Sequence, residues 1–324
     1  MNYRRLGRTG LQLSELSLGS WLTFGKQIPD DVAEALMITA YDLGVNFFDN
    51  AEIYARGQSE VVMGNILKKT GWRRDTFVIS SKVFWGGDKP NQTGLSRKHV
   101  TEGCHASLKR LQLEYLDLFF CHRPDPNTPM EETVWAMNDL IRQGKVLYWG
   151  TSEWSSQEIM EAISVARREH LTPPVMEQPQ YNLFHRQRFE IEYQRLFSEM
   201  GYGATTWSPL ASGLLSGKYN TDFPENTRMS IKGMEWLKEK TLTEDHLQKT
   251  TTLLSLAKQV GISLPQLAIA WCLTNTHVSS VILGASKVEH LISNLNAMNA
   301  THQLSPDVID HIETILGNKP LPNS

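Results

Sequence analysis

Asp49, Tyr54, Lys82 and His122 carry side chains suited to moving a proton. Each stands at or just past the end of a short apolar run. Asp49 closes Val45–Asp49, Lys82 follows Phe77–Ser81, His122 follows Leu116–Cys121, and Tyr54 lies five residues beyond Asp49. Taken singly, an Asp after a strand is most often a turn residue, and a lone Tyr, Lys or His is most often packing or solvated. As a group they have an acid–base logic. A free phenol, with a pKa near ~10, donates its proton reluctantly at neutral pH. A neighbouring ammonium stabilises the phenolate and is expected to lower that value. Asp49 can pair with Lys82 and hold it, while His122 can hydrogen-bond a substrate oxygen or tune the phenol. The chemistry this suggests is proton donation to a carbonyl. A Schiff base on Lys82 is the competing chemistry, but a carboxylate and a phenol beside it favour ammonium over free amine.

Positioning these groups together requires a scaffold that gathers strand ends on one rim. Eight short apolar runs read as strands: Leu16–Gly19, Val45–Asp49, Phe77–Ser81, Leu116–Cys121, Val146–Gly150, Val175–Gln178, Gly203–Trp207 and Ser280–Leu283. Their richness in Val, Ile, Leu and Phe suits strands buried on both faces. Amphipathic stretches such as Asp31–Leu43 and Arg97–Leu111 lie between them. Thr128 with Glu131, Ser155 with Glu158 and Ser286 with Glu289 read as capping boxes, and Gly44, Gly144 and Gly201 as helix-terminating glycines. Alternation of this kind implies parallel strands with crossover helices. A doubly wound sheet would place a Gly-x-Gly-x-x-Gly turn after its first strand; here that strand runs into Leu18-Gly19-Ser20-Trp21. The expectation is therefore a (β/α)8 barrel, one domain over residues 1–324, with a long Gly-, Pro-, Ser- and Asn-rich loop from Ser208 to about Glu244 after the seventh strand. Barrels commonly bind phosphate after strands seven and eight.

The composition excludes several classes. A net charge of −3 argues against nucleic-acid binding, which favours a basic excess. Cys104, Cys121 and Cys272 are odd in number and widely spaced, so neither a disulfide framework nor a zinc site is expected. Without an apolar signal core after Met1 or an apolar run near the ~18 residues of a membrane span, a cytoplasmic location is expected.

Phe48-Asp49-Asn50-Ala51-Glu52-Ile53-Tyr54, Ser81-Lys82 and Cys121-His122-Arg123 resemble the Asp–Tyr–Lys–His set of the aldo-keto reductases. The likeness continues through Gly150-Thr151-Ser152, Trp207-Ser208-Pro209-Leu210-Ala211 and Leu283-Gly284-Ala285-Ser286. Within that family, Leu95-Ser96-Arg97-Lys98-His99, the stretch from Arg123-Pro124-Asp125 to Glu132-Thr133, and Pro265 to Leu273 resemble the β subunits of voltage-gated potassium channels and their plant and bacterial reductase relatives. The resemblance implies a (β/α)8 barrel, NADP(H), a small carbonyl substrate and a homo-oligomer, commonly a tetramer. It implies that Tyr54 protonates the carbonyl oxygen, Lys82 and Asp49 tune it, and His122 orients the carbonyl. Animal channel subunits carry Asn at the His122 position and a basic residue at that of Glu153. For the cofactor it implies Gly19, Ser20 and Trp21 with Asp49 and Lys82 at the rim, Ser152 and Gln178 on the nicotinamide amide, and Trp207 stacked on its ring. Ser208, Pro209, Leu210, Ala211 and Lys218 then face the pyrophosphate, and Arg228, Gly284 and Ser286 the phosphate end; His290 and Asn294 complete the set. Trp21, Phe24, Trp85 and Trp154, each just past a strand end, are expected to wall the substrate pocket with Tyr54 and His122. The alternative function is a redox-sensing β subunit of a potassium channel with slow turnover.

Overall fold

The computed structural model describes residues 1–220 and 235–321. An antiparallel hairpin of β1 (Tyr3–Arg5) and β2 (Gln12–Ser14) precedes eight parallel strands that close a barrel. These are β3 (Leu16–Gly19), β4 (Phe47–Asp49), β5 (Val78–Val83), β6 (Leu116–Cys121), β7 (Val146–Thr151), β8 (Met176–Glu177), β9 (Gly203–Thr206) and β10 (Ser280–Leu283). β10 closes the ring by pairing with both β9 and β3, Val281 standing opposite Thr206 and Leu16. The expected (β/α)8 barrel is the fold, with strand ends displaced by no more than two residues from the expected ones. The initial hairpin was not anticipated, because three-residue strands leave too little alternation to read.

Helices cover the barrel. α1 (Asp30–Asp42) follows β3, α2 (Gln58–Thr70) follows β4, α3 (Arg97–Leu111) follows β5, α4 (Met130–Arg142) follows β6 and α5 (Ser156–Arg168) follows β7. The short α6 (Gln194–Ser198) follows β8; α7 (Glu235–Thr241), α8 (Glu244–Gln259) and α9 (Leu264–Thr274) follow β9. After β10 come α10 (Val288–Leu295), α11 (Ala297–Ala300) and α12 (Pro306–Leu316). No single helix among the described residues is long and apolar enough to cross a membrane.

Strand alternation sorts the apolar residues into two cores. Phe47, Val78, Leu118, Phe120, Met176 and Ile282 point into the barrel, where Leu6 and Leu13 from the hairpin join them. Phe48, Ile79, Phe119, Cys121 and Trp149 point outward into the layer beneath the helices. Each buried Phe contributes about 1.5–3 kcal/mol. The inward parity runs on past the apolar layers: Phe47 leads to Asp49, Val78 to Ser80 and Lys82, Phe120 to His122, and Met176 to Gln178. Polar groups two residues farther along each strand therefore top an apolar plug.

Only one of the three expected capping boxes forms. Ser155 and Glu158 bond reciprocally at the start of α5. Thr128 is instead drawn to Asp125 Oδ2 at 2.7 Å, and Pro129 takes the cap position of α4 without a side-chain bond; the local Asp turn competes successfully for the hydroxyl. At α10 the cap residue is Lys287 rather than Ser286, again with no side-chain bond, which leaves the first N–H groups of that helix uncapped. Ser263 and Gln266 form a further capping box at α9. Gly44, Gly144 and Gly201 all adopt positive φ, as expected of helix-terminating positions.

Close approach of α2 and α3 depends on Gly64. A Cβ there would lie 2.4 Å from the Arg110 carbonyl oxygen and 2.8 Å from Leu111 Cα. These are backbone atoms and cannot swing aside. Gly64→Ala is expected to cost about 1–3 kcal/mol through overpacking, read as a lower urea midpoint at unchanged slope. A midpoint at or above the parent's would show that the two helices separate freely.

Candidate active site

Lys82 has no exposed surface and lies among inward-pointing groups at the strand ends. Its Nζ donates to Asp49 Oδ2 at 2.6 Å, to the Asn50 carbonyl at 2.8 Å and to the Tyr54 hydroxyl at 3.2 Å. An ammonium has three donors and no acceptor, so this pattern uses all of them. Burial alone would depress the Lys82 pKa, but Asp49 and Tyr54 more than offset it and hold the group above its usual value. A charged, fully bonded nitrogen has no lone pair for a carbonyl, which disposes of Schiff-base chemistry here. Asp49 is itself fixed, its Oδ1 accepting from Ser80 Oγ at 2.7 Å and Gln178 Nε2 at 3.0 Å.

Since Lys82 must be the donor in its bond to Tyr54, the phenol's own hydrogen is left for another acceptor. The sequence led us to expect a lowered Tyr54 pKa. The reverse holds: burial raises it above the ordinary phenol value, outweighing Lys82, which lowers it. The group is thus a protonated phenol at neutral pH, with an ammonium in hydrogen-bond contact. His122 stands edge-on to Tyr54 at 5.9 Å between ring centres. Its Nδ1 is buried without a hydrogen-bond partner. Burial first, then Lys82 and Arg123, push its pKa well below the usual imidazole value, so the ring is neutral.

These groups open on a cavity of about 740 Å³, within the ~300–1,000 Å³ of small-molecule sites. Of the residues singled out in the sequence, Gly19, Trp21, Asp49, Tyr54, Trp85 and His122 line it from the first strand ends. Ser152, Gln178 and Trp207 continue the wall. Ser208, Pro209, Leu210 and Lys218 line it from the loop after β9, and Gly284, Ser286, His290 and Asn294 from the segment after β10. Lys82 lies beneath the wall, reached through Tyr54. Ser20 is behind it, its hydroxyl bonded to the Asp49 carbonyl at 3.0 Å. Phe24, Trp154 and Ala211 are buried in the layer between barrel and helices rather than on the wall. Arg228 lies outside the described residues.

Several contributors were missed. Ser80 could have been found, because it shares the inward parity of Lys82 two residues on. Glu153 adopts positive φ and reaches back to accept from Trp207 Nε1 at 3.1 Å and the Gln180 amide at 2.6 Å, while pairing with Arg188 at 3.2 Å. It therefore sets the Trp207 ring plane, a role with no sequence signal. Ile53 and Arg123 line the cavity as well. Ser208 and Ser212 hold φ of 59° and 57°, and Ala55, next to Tyr54, 50°. Such strained backbone gathers at functional sites.

The neutral state of His122 can be read directly. With the signal assigned by comparison with His122→Asn, its imidazole nitrogen shifts are expected to stay those of the neutral ring from about pH 8 to pH 6. A titration midpoint near that of a free imidazole would contradict the burial argument.

A family model described as the aldo/keto reductase family matches residues 15–316, nearly the whole chain. This span includes all eight barrel strands and every wall residue named above. The chain belongs to the aldo/keto reductase family, oxidoreductases that act on carbonyl groups and typically use a nicotinamide cofactor.

Proposed function

We propose that the protein reduces aldehydes or ketones to alcohols with NADPH, and that Tyr54 gives its proton to the carbonyl oxygen. The observation that carries this reading is the triple bonding of Lys82, which leaves the Tyr54 hydrogen to a carbonyl in the cavity. The reduced nicotinamide, when bound, supplies the hydride that the carbonyl carbon accepts. Neutral His122 can donate a second hydrogen bond to the same oxygen and orient it. As the proton leaves Tyr54, Lys82 stabilises the phenolate at a hydrogen bond already formed, so little reorganisation is needed.

The wall residues fit such a cofactor. Ser152 Oγ donates to the Gln178 carbonyl at 2.9 Å, and Gln178 Nε2 is held by Asp49 and Thr205. Both side chains therefore offer oxygen acceptors to the carboxamide N–H groups of a nicotinamide. Trp207, fixed by Glu153, offers a flat face to the ring. Farther along, the uncapped start of α10 beside Ser286 and His290, with Lys218 across the cavity, suits phosphate groups. A site rich in phosphate-binding groups favours the 2′-phosphorylated cofactor. The presence of His122 with the other three groups favours turnover over a purely redox-sensing channel subunit.

Tyr54→Phe tests the assignment. Steady-state oxidation of NADPH with aromatic aldehydes is expected to fall at least ~10², the scale of losing a general acid, while NADPH binding by fluorescence persists. Retention of parental turnover by this variant would remove Tyr54 as the donor.

A further inference from the structure

Arg123 is the residue after His122, yet its side chain takes no part in the proton-donating network. It lines the cavity with its guanidinium over the Trp85 ring, 5.4 Å from the ring centre. Trp85 in turn lies edge-on to His122 at 5.1 Å. One nitrogen, Nη1, donates to the His122 carbonyl and more distantly, at 3.4 Å, to Ser152 Oγ. The Nε–Nη2 edge makes no hydrogen bond and meets no carboxylate among the described residues. That edge is the planar fork that binds carboxylate or phosphate oxygens in pairs.

The charge balance at this end of the cavity sharpens the point. Asp49 and Lys82 cancel as a buried pair. His122 is neutral. Arg123 makes no ion pair among the described residues, and its charge favours phenolate at Tyr54 and neutral imidazole at His122. Trp85 supplies apolar surface beside it, and Trp21 and Ile53 line the same cavity.

Resting on the reductase reading, we propose that the substrate is a carbonyl compound bearing an anionic group, held by the free edge of Arg123 while its carbonyl faces Tyr54 and His122. A carboxylate and a phosphate monoester present the same paired oxygens to that edge. The anion would fix the substrate's orientation against the Trp85 face and so set which carbonyl compounds are taken.

The test is a ratio. NADPH oxidation is measured with 4-carboxybenzaldehyde against methyl 4-formylbenzoate, and with 4-formylphenyl phosphate against 4-methoxybenzaldehyde. In the parent, kcat/KM for at least one anionic partner is expected to exceed that of its neutral counterpart by about tenfold or more, the scale of a charge-assisted hydrogen bond. Whichever pair shows the preference names the anion. Arg123→Met should bring the ratio to about one, chiefly through KM, and Arg123→Lys should restore part of it. Were Arg123 only a brace for His122 and Ser152, its replacement would depress neutral and anionic aldehydes alike and leave the ratio unchanged, which overturns the proposal. A parental ratio of one or less in both pairs overturns it equally. Failure of every aldehyde to be reduced would sink the reductase reading instead. The subsite is then read by calorimetry in the presence of NADP⁺: tighter binding of benzoate than benzamide that is lost in Arg123→Met supports it, and equal binding refutes it.

Discussion

An ammonium group with no exposed surface sits at the mouth of the barrel, and the neighbouring geometry is arranged to keep it charged. Burying such a charge costs several kcal/mol unless it is paired and its donors are satisfied. Here Asp49, the Asn50 carbonyl and Tyr54 do both for Lys82. The pairing reaches outward: Asp49 is steadied by Ser80 and Gln178, and Gln178 by Thr205. Ends of four barrel strands are thus tied into one hydrogen-bond network. Because Lys82 gives its third donor to Tyr54, the phenol's own hydrogen is left for another acceptor.

Rigid and adaptable parts divide along the same line. Asp49, Lys82 and His122 sit at strand ends above a plug of Phe47, Val78, Leu118, Phe120 and Met176, and Tyr54 follows in the turn after β4. Residues that would meet a cofactor or set specificity come mostly from the loops beyond, where backbone strain is found at Ser208 and Ser212. Barrels permit this separation because side chains fill their interior and leave the rim to carry the chemistry. Arg123, with one edge tied to backbone and the other open, stands at the border between the two parts.

Much of this was legible from sequence. Eight apolar runs gave the barrel, and the residues ending them gave the Asp, Lys and His positions, because strand ends must share one rim. What escaped depended on relations that no single segment carries. The direction of the Tyr54 pKa follows from the desolvation that the fold imposes on the half-buried phenol, whereas the sequence offered only its cationic neighbour. Phe24 and Trp154 lie past strand ends like Trp85, but face the helix layer. The turn that follows a strand decides which way such a ring points. Thr128 had two local partners, Glu131 three residues ahead and Asp125 three behind, and the turn after β6 decided for Asp125. Positions such as Glu153, acting on a Trp fifty-four residues away, leave no local pattern at all.

The central claim is that Lys82 acts on catalysis through Tyr54 rather than beside it. A double-mutant cycle on kcat/KM for carbonyl reduction, with Tyr54→Phe, Lys82→Met and the pair, measures this directly. Groups acting as one unit are strongly non-additive. The account predicts that the double variant lies within about threefold of Tyr54→Phe alone, since without the phenol the ammonium has no phenolate to stabilise. Losses that multiply would mean that Lys82 contributes independently of Tyr54, and would contradict it.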